Sequence, residues 1–149
     1  MRKRGEYGVT LLELVVVMAI IAVIGLCMAP AIGEWRDNFH IRQAARDIVS
    51  NLQFAKMRAI SSRIEHRICF DSVNETYHLE KNDGAWTQEG DEFHVPRGVD
   101  IASVTYNPPR VKFDPDGTSS SGHIRLENEQ GKTYKVVIYY TGRIRIVEE

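Results

Sequence analysis

Hydrophobic and polar positions change period twice along this chain. From Leu14 to Ile32, nineteen consecutive residues carry no charge. As a helix this run spans about 28 Å at roughly 1.5 Å per residue, close to the hydrocarbon thickness of a bilayer. The rest of the chain is too small to enclose a helix that is apolar on every side, so the pattern predicts a transmembrane helix half over residues 9–33. Beyond Gly33, Ile41, Ala45, Ile48, Leu52, Ala55 and Ala59 recur at spacings of 4, 3, 4, 3 and 4, which is one face of an amphipathic helix. Arg36, Asp37, Arg46, Asp47 and Arg58 fall largely off that face. The amphipathic half is expected over residues 34–63, ending near Arg63, where Ser61 and Ser62 weaken it.

From Ile64 the period becomes two. Residues 64–70 and 76–81 read as paired strands around a turn at Asp71–Glu75, and Asn82–Gly84 is a further turn signal. Residues 84–98 are polar and read as a long loop or irregular edge. Strands are expected at 110–113, 123–128, 133–140 and 142–147, with Gly131 and Gly142 in tight hairpins. Val136–Tyr140 is apolar at successive positions and reads as a central strand. In the last strand Ile144 and Ile146 alternate with Arg143 and Arg145. The fold class predicted is α+β: a long N-terminal helix packed on a small antiparallel β-sheet domain, of one or two sheets, over residues 64–149.

Charge adds orientation. The formal net charge is −1, but residues 64–149 hold ten basic against fifteen acidic side chains, which argues against nucleic acid as a main partner. Arg2, Lys3 and Arg4 precede the apolar run, and no such basic excess follows it. The positive-inside bias therefore puts the N-terminus in the cytoplasm and everything after Ile32 across the membrane. A secretory signal is the rival reading, since Ala29-Pro30-Ala31 has the small-x-small form of a cleavage site. The apolar run is longer than a usual signal core, however, and Glu13 interrupts its start. Cys27 and Cys69 read as two buried small hydrophobes with no disulfide between them.

Glu13 needs its own account, because a carboxylate costs roughly 2.5–3.5 kcal/mol at mid-membrane and less near the edge. Either it reaches back to the headgroups, or a cation meets it. Cleavage after Gly8 would create that cation at the α-amine of Val9. Along a rigid helix this amine reaches Glu13 of its own chain poorly. It can reach Glu13 of a neighbour displaced along an assembly axis. The stretch Arg2–Leu14, RKRGEYG followed by VTLLEL, resembles a type IV prepilin leader: short, basic, ending in Gly, with Glu at the fifth place after the cut. The resemblance implies that residues 1–8 are a leader, that a prepilin peptidase cuts between Gly8 and Val9 and methylates Val9, and that Glu13 docks the subunit into a filament. It implies a single-pass protein of the bacterial inner membrane with its C-terminal domain in the periplasm. Pro30 falls where pilin helices commonly carry a kink-forming proline; a mid-helix Pro removes one backbone hydrogen bond.

The C-terminal half, from Phe113 to Ile146, is similar to the H-type pseudopilins of type II secretion and the FimT-like minor pilins. Phe113, Gly117, Gly122, Gly142 and Arg143 fit that group's Phe-x-x-x-Gly stretch, its Gly-led strand and its closing Gly-Arg. Residues 72–108 carry no motif. The resemblance implies the pilin fold and a structural subunit, not an enzyme. Such a minor pseudopilin or minor pilin would help initiate or cap a type II secretion pseudopilus or type IV pilus, with other pilins as partners and no cofactor.

No catalytic constellation is visible. His40, His66, His78, His94 and His123 lack ligand spacing, and no metal site is read from them. Asp114–Gly117 has only the opening of a calcium loop and reads as a turn. Thr118–Gly122 reads as a loop without a base to activate a nucleophile. Some FimT-like pilins carry a terminal Gly-Arg-x-Arg and bind DNA, which makes Arg143 and Arg145 the alternative site, since two guanidiniums on one strand face can clamp phosphates. The nearby Glu148 and Glu149 favour a solvated edge strand instead.

Overall fold

The computed structural model describes residues 10–149, and the side chains of all of these except residues 27–37. The predicted leader, Gly8 and Val9 therefore lie outside the described residues, as do the side chains of Cys27 and Pro30. The chain divides into two units between Arg36 and Asp37.

In the first unit, helix α1 (Leu11–Ser62) begins. Every Leu, Val, Ile and Met from Leu11 to Leu26 is at least 47 % exposed. Among the described residues no helix is long and apolar enough to cross a membrane. The predicted run Leu14–Ile32 passes into residues 27–32, whose side chains are not described. The helix continues through Pro30.

In the second unit the later part of α1 buries Ile41, Ala44, Ala45, Ile48, Leu52, Ala55 and Ala59 to 2 % exposure or less. This is the face set by the 4-3-4-3-4 spacing, with Ala44 added. Alanines on that face let backbone approach sheet closely. At the end of α1 the Ser61 and Ser62 hydroxyls donate to the Arg58 carbonyl at 3.2 and 2.6 Å, competing with the helical ladder. Arg63 then takes φ 58°, the left-handed position that commonly closes a helix.

Nine strands follow: β1 His66–Asp71, β2 Thr76–Asn82, β3 Trp86–Gln88, β4 Phe93–His94, β5 Val99–Val104, β6 Arg110–Phe113, β7 Gly122–Asn128, β8 Thr133–Ile138 and β9 Ile144–Glu148. They form two antiparallel sheets. The first runs β3-β2-β1-β6 with β4 also against β2, and the second runs β5-β7-β8-β9. Ile68, Phe70, Tyr77, Leu79, Val111 and Phe113 from the first sheet meet Ile124, Leu126, Tyr134, Val136 and Ile138 from the second in one core with α1.

Of the two readings of residues 84–98, the irregular edge is the one found: the short strands β3 and β4 pair with β2 along the border of the first sheet. β5 lies in a stretch without motifs and is interrupted by a register shift between Ile101 and Ser103. Later in the chain the expected strands are corrected. The 133–140 strand stops at Ile138. Tyr134, Val136 and Ile138 are buried while Val137 is only half-buried, and Tyr139 and Tyr140 stand exposed in the turn. β8 is thus interior to its sheet but covered on one face only. Ile146 is 39 % exposed while Ile144 is half-buried, because β9 is an edge strand.

The glycines of the C-terminal pattern have steric reasons. Gly142 sits at φ 69°, and a Cβ there would lie 2.2 Å from the Gly117 carbonyl oxygen. Lys56 of α1 donates to the Gly142 carbonyl at 3.0 Å, so helix, β6–β7 loop and β8–β9 turn meet at one point. A Cβ on Gly122 would lie 2.6 Å from Tyr106 Cζ.

Polar bridges join α1 to the sheets at several places. Arg42 Nε donates to Tyr134 Oη at 2.7 Å, and Asn51 Nδ2 to Tyr77 Oη at 2.9 Å. Arg58 pairs with Glu89, whose other oxygen faces buried His66 at 3.2 Å. The Arg58 hydrogen bond holds the Glu89 carboxyl below its ordinary 4.5, against desolvation and with help from the Arg58 and His66 charges. A depressed folded value adds stability that is present above pH 4.5 and lost as pH falls through the folded value. Arg58 is 42 % exposed, so water screens the pair and it is worth about 1 kcal/mol at most. Arg58→Gln is therefore expected to raise the midpoint of acid unfolding, followed by circular dichroism. An unchanged midpoint would show that the pair carries none of the acid response.

Candidate functional site

The N-terminal end of α1 is organised by Thr10. Its hydroxyl accepts the Glu13 backbone N–H at 3.2 Å, and its carbonyl accepts the Leu14 N–H at 3.1 Å. Thr10 is thus the N-cap, and Thr-x-x-Glu is the spacing of a capping box. Sequence reasoning missed this signal because it read Glu13 only as a charge in an apolar run. Glu13 stands exposed in the first helical turn, where the helix dipole favours a carboxylate. The cap uses the main chain of Glu13, which leaves the side chain available to a partner. Around it, the apolar side chains from Leu11 to Leu26 stand exposed, a surface far beyond the scattered exposed apolar groups of a soluble monomer.

At the other end of the chain, the β8–β9 turn closes with Tyr139 N–H donating to the Arg143 carbonyl at 2.9 Å and Gly142 N–H to the Tyr139 carbonyl at 2.8 Å. Arg143 and Arg145 alternate with Ile144 and Ile146 and are both exposed. Arg145 lies opposite Val137, and Val147 opposite Lys135. The terminal acids turn elsewhere. Glu148 pairs with Lys132 at 2.6 Å, and Glu149 with Lys135 at 2.5 Å. Arg143 and Arg145 are left to solvent at the edge of the second sheet.

The remaining candidates resolve locally. Asp116 Oδ1 accepts from the Thr118 N–H and hydroxyl at 2.9 and 2.6 Å, while Asp114 pairs with Lys112 at 2.8 Å. The Asp114–Gly117 segment is a turn whose carboxylates serve the loop itself. An apolar groove of about 400 Å³ runs between α1 and the first sheet, lined by Phe54, Ile68, Tyr77, Leu79 and Phe93 among others. Tyr77 stacks on Phe93 at 5.3 Å. The polar groups beside the groove are engaged in the Asn51–Tyr77 and Arg58–Glu89–His66 links, which leaves none poised as a nucleophile and base pair.

One cluster was invisible in linear spacing. Strand register puts Cys69 opposite His78, and Cys69, His78 and Glu80 bring a donor atom each within 4.8 Å of one another. Histidine spacing along the chain could not reveal it, because a cross-strand pair is set by the hairpin and not by a short motif.

Comparison with known proteins gives a consistent picture. The family model described as Type II transport protein GspH matches residues 44–142, and that of the prokaryotic N-terminal methylation motif matches residues 3–26. A type II secretion system protein H of Xanthomonas campestris pv. campestris is 24 % identical, the match covering 96 % of this chain and 84 % of the relative. The minor pseudopilin EpsH from the type 2 secretion system of Vibrio cholerae superposes with TM-score 0.63 at 12 % identity, over 73 % of this chain and 97 % of that one. The type IV minor pilin FimU of Pseudomonas aeruginosa gives 0.60 at 17 % identity, over 76 % and 92 %. The long helix on antiparallel sheets is their fold. The DNA-binding alternative built on Arg143 and Arg145 gains no support from these relatives.

Proposed function

The chain belongs to the type II transport protein GspH family, a family of pseudopilin and pilin-like structural subunits rather than enzymes, and we propose that it is a minor subunit that helps initiate or cap a periplasmic filament and so supports protein secretion. Its partners are other pilin-like subunits of that filament. In this reading the first half of α1 anchors the subunit in the bacterial inner membrane, with the N-terminus cytoplasmic and the β-rich unit periplasmic. A prepilin peptidase removes residues 1–8 and methylates Val9. Pro30 gives the helix a point of local adjustment during assembly.

The observation that carries this reading is the first turn of α1. A capped helix start presents the Glu13 side chain beside an exposed apolar helix surface, inside the stretch matched by the N-terminal methylation motif. A carboxylate there gains most from a neighbour's Val9 amine in a low-dielectric setting. Removing one partner of a buried charge pair costs about 3–5 kcal/mol.

Glu13→Val tests it. The Thr10 cap survives, because it binds the Glu13 main chain, and membrane insertion is expected to be unchanged or better. Crosslinking of the full-length variant to companion pilins in membranes is expected to fall at least about tenfold, since each 1.4 kcal/mol is a factor of ten. Crosslinking at the wild-type level would mean that Glu13 merely reaches to the headgroups.

A further inference from the structure

On the outer face of the first sheet three different metal-binding side chains meet. Cys69 of β1 lies directly opposite His78 of β2, and Glu80 is two residues further on, hence on the same face. Cys69 Sγ donates to Glu80 Oε2 at 3.3 Å, and His78 Nε2 lies 3.3 Å from Glu80 Oε1. The cluster is recessed but reachable: Cys69 is 9 % exposed, Glu80 17 % and His78 27 %.

Thiolate, imidazole and carboxylate are the donors that Zn²⁺ takes, with bonds of about 2.3 Å to sulfur and 2.0–2.2 Å to nitrogen or oxygen. Tetrahedral bonds of those lengths set neighbouring donors roughly 3.3–3.7 Å apart. The 3.3 Å between His78 Nε2 and Glu80 Oε1 falls in that range, and the three residues each bring a donor atom within 4.8 Å of one another. We propose that Cys69, His78 and Glu80 form a three-ligand zinc site across the β1–β2 pair, with the fourth position open to water. This inference is independent of the filament reading.

Arg67 Nε sits 2.5 Å from Glu80 Oε2, and the Arg67 guanidinium lies over the Trp86 ring at 3.8 Å. Glu80 can present Oε1, the oxygen facing His78, to the ion and keep Oε2 on Arg67. The guanidinium then orients the ligating carboxylate as an outer-shell partner. Burial pushes the Cys69 thiol up to about 11, and Glu80 adds to the rise. The free thiol is therefore protonated at neutral pH. On binding, the S–H bond breaks, an S–Zn bond forms, one water leaves the hydrated ion and the proton goes to solvent, so affinity rises with pH. The loaded site clips two adjacent strands and stabilises the fold by mass action.

The test is a zinc titration of the full-length chain in detergent micelles, with Zn²⁺ alone against a chromophoric chelator at neutral pH. One equivalent of zinc per chain is expected. Cys69→Ser and His78→Gln are each expected to weaken binding by about tenfold or more, since even loss of an outer-shell partner costs about 10–100-fold. His94→Gln and His123→Gln are expected to leave binding unchanged. Cobalt in place of zinc should give a thiolate-to-metal charge-transfer absorption that Cys69→Ser lacks. The proposal is overturned if the wild-type chain binds no stoichiometric zinc, or if binding survives both ligand substitutions.

Discussion

Gly142→Ala is expected to destabilise the β-rich unit by about 2–5 kcal/mol. Two costs combine in this estimate. A left-handed backbone costs a non-glycine residue roughly 1–2 kcal/mol, and forcing extra volume into a packed site costs about 1–3 kcal/mol. The added Cβ would stand 2.2 Å from the Gly117 carbonyl oxygen, a main-chain atom that cannot rotate aside, and 2.8 Å from Lys56 Nζ. Relief requires the β8–β9 turn to move off the β6–β7 loop, and the Lys56 bond to the Gly142 carbonyl stretches with it. Gly131→Ala is the matched control. Gly131 has φ 76° with nothing within 4 Å of its added Cβ, so it bears the backbone cost alone, about 1–2 kcal/mol. Denaturant unfolding of both variants measures the difference. Equal losses would show that the Gly142–Gly117 contact contributes nothing.

Much of the fold was legible because burial follows period. The 4-3-4-3-4 row from Ile41 to Ala59 is the face of α1 that packs in the core, and the alternation in β1, β2, β7 and β8 marks their inward residues. The strands that escaped are short. β3 and β4 span Trp86–Gln88 and Phe93–His94, too few residues to display a period of two. β5 is broken by a register shift, which scrambles alternation. The two exposed tyrosines after Ile138 extended an apparent strand because a hydrophobic run does not reveal where a turn begins.

The candidate site divides in the same way. Glu13 was legible as an anomaly, a lone carboxylate bordering an uncharged run, but its position at the third residue after the Thr10 cap was not recognised. The Cys69–His78–Glu80 cluster depends on which residue of β1 faces which residue of β2. That register is fixed by the four-residue turn between them, where the Asp71 carboxylate accepts the Val73 and Asn74 N–H groups at 2.8 and 3.1 Å and Glu75 takes φ 54°. Arg145 lies in β9, whereas Arg143 falls just before it, because the turn after Ile138 takes the start of the expected 142–147 strand; both side chains are exposed. The neighbouring acids Glu148 and Glu149 pair with Lys132 and Lys135.

Gly8→Phe is expected to abolish maturation, with nearly all of the chain left uncut. The leader Arg2–Gly8 and the matched methylation motif motivate this. A glycine before the cut lets the extended backbone approach a peptidase closely, as only a residue without Cβ can, and a benzyl group there blocks that approach. Without the cut, Val9 has no free amine, and Glu13 of a neighbour has nothing to meet. Intact-mass measurement of the wild-type chain purified from membranes tests the account most directly. The expected wild-type chain begins at Val9 and carries one additional methyl group, and the Gly8→Phe chain retains Met1–Gly8. A wild-type mass that retains Met1–Gly8, or one that corresponds to cleavage after Ala31, would contradict it.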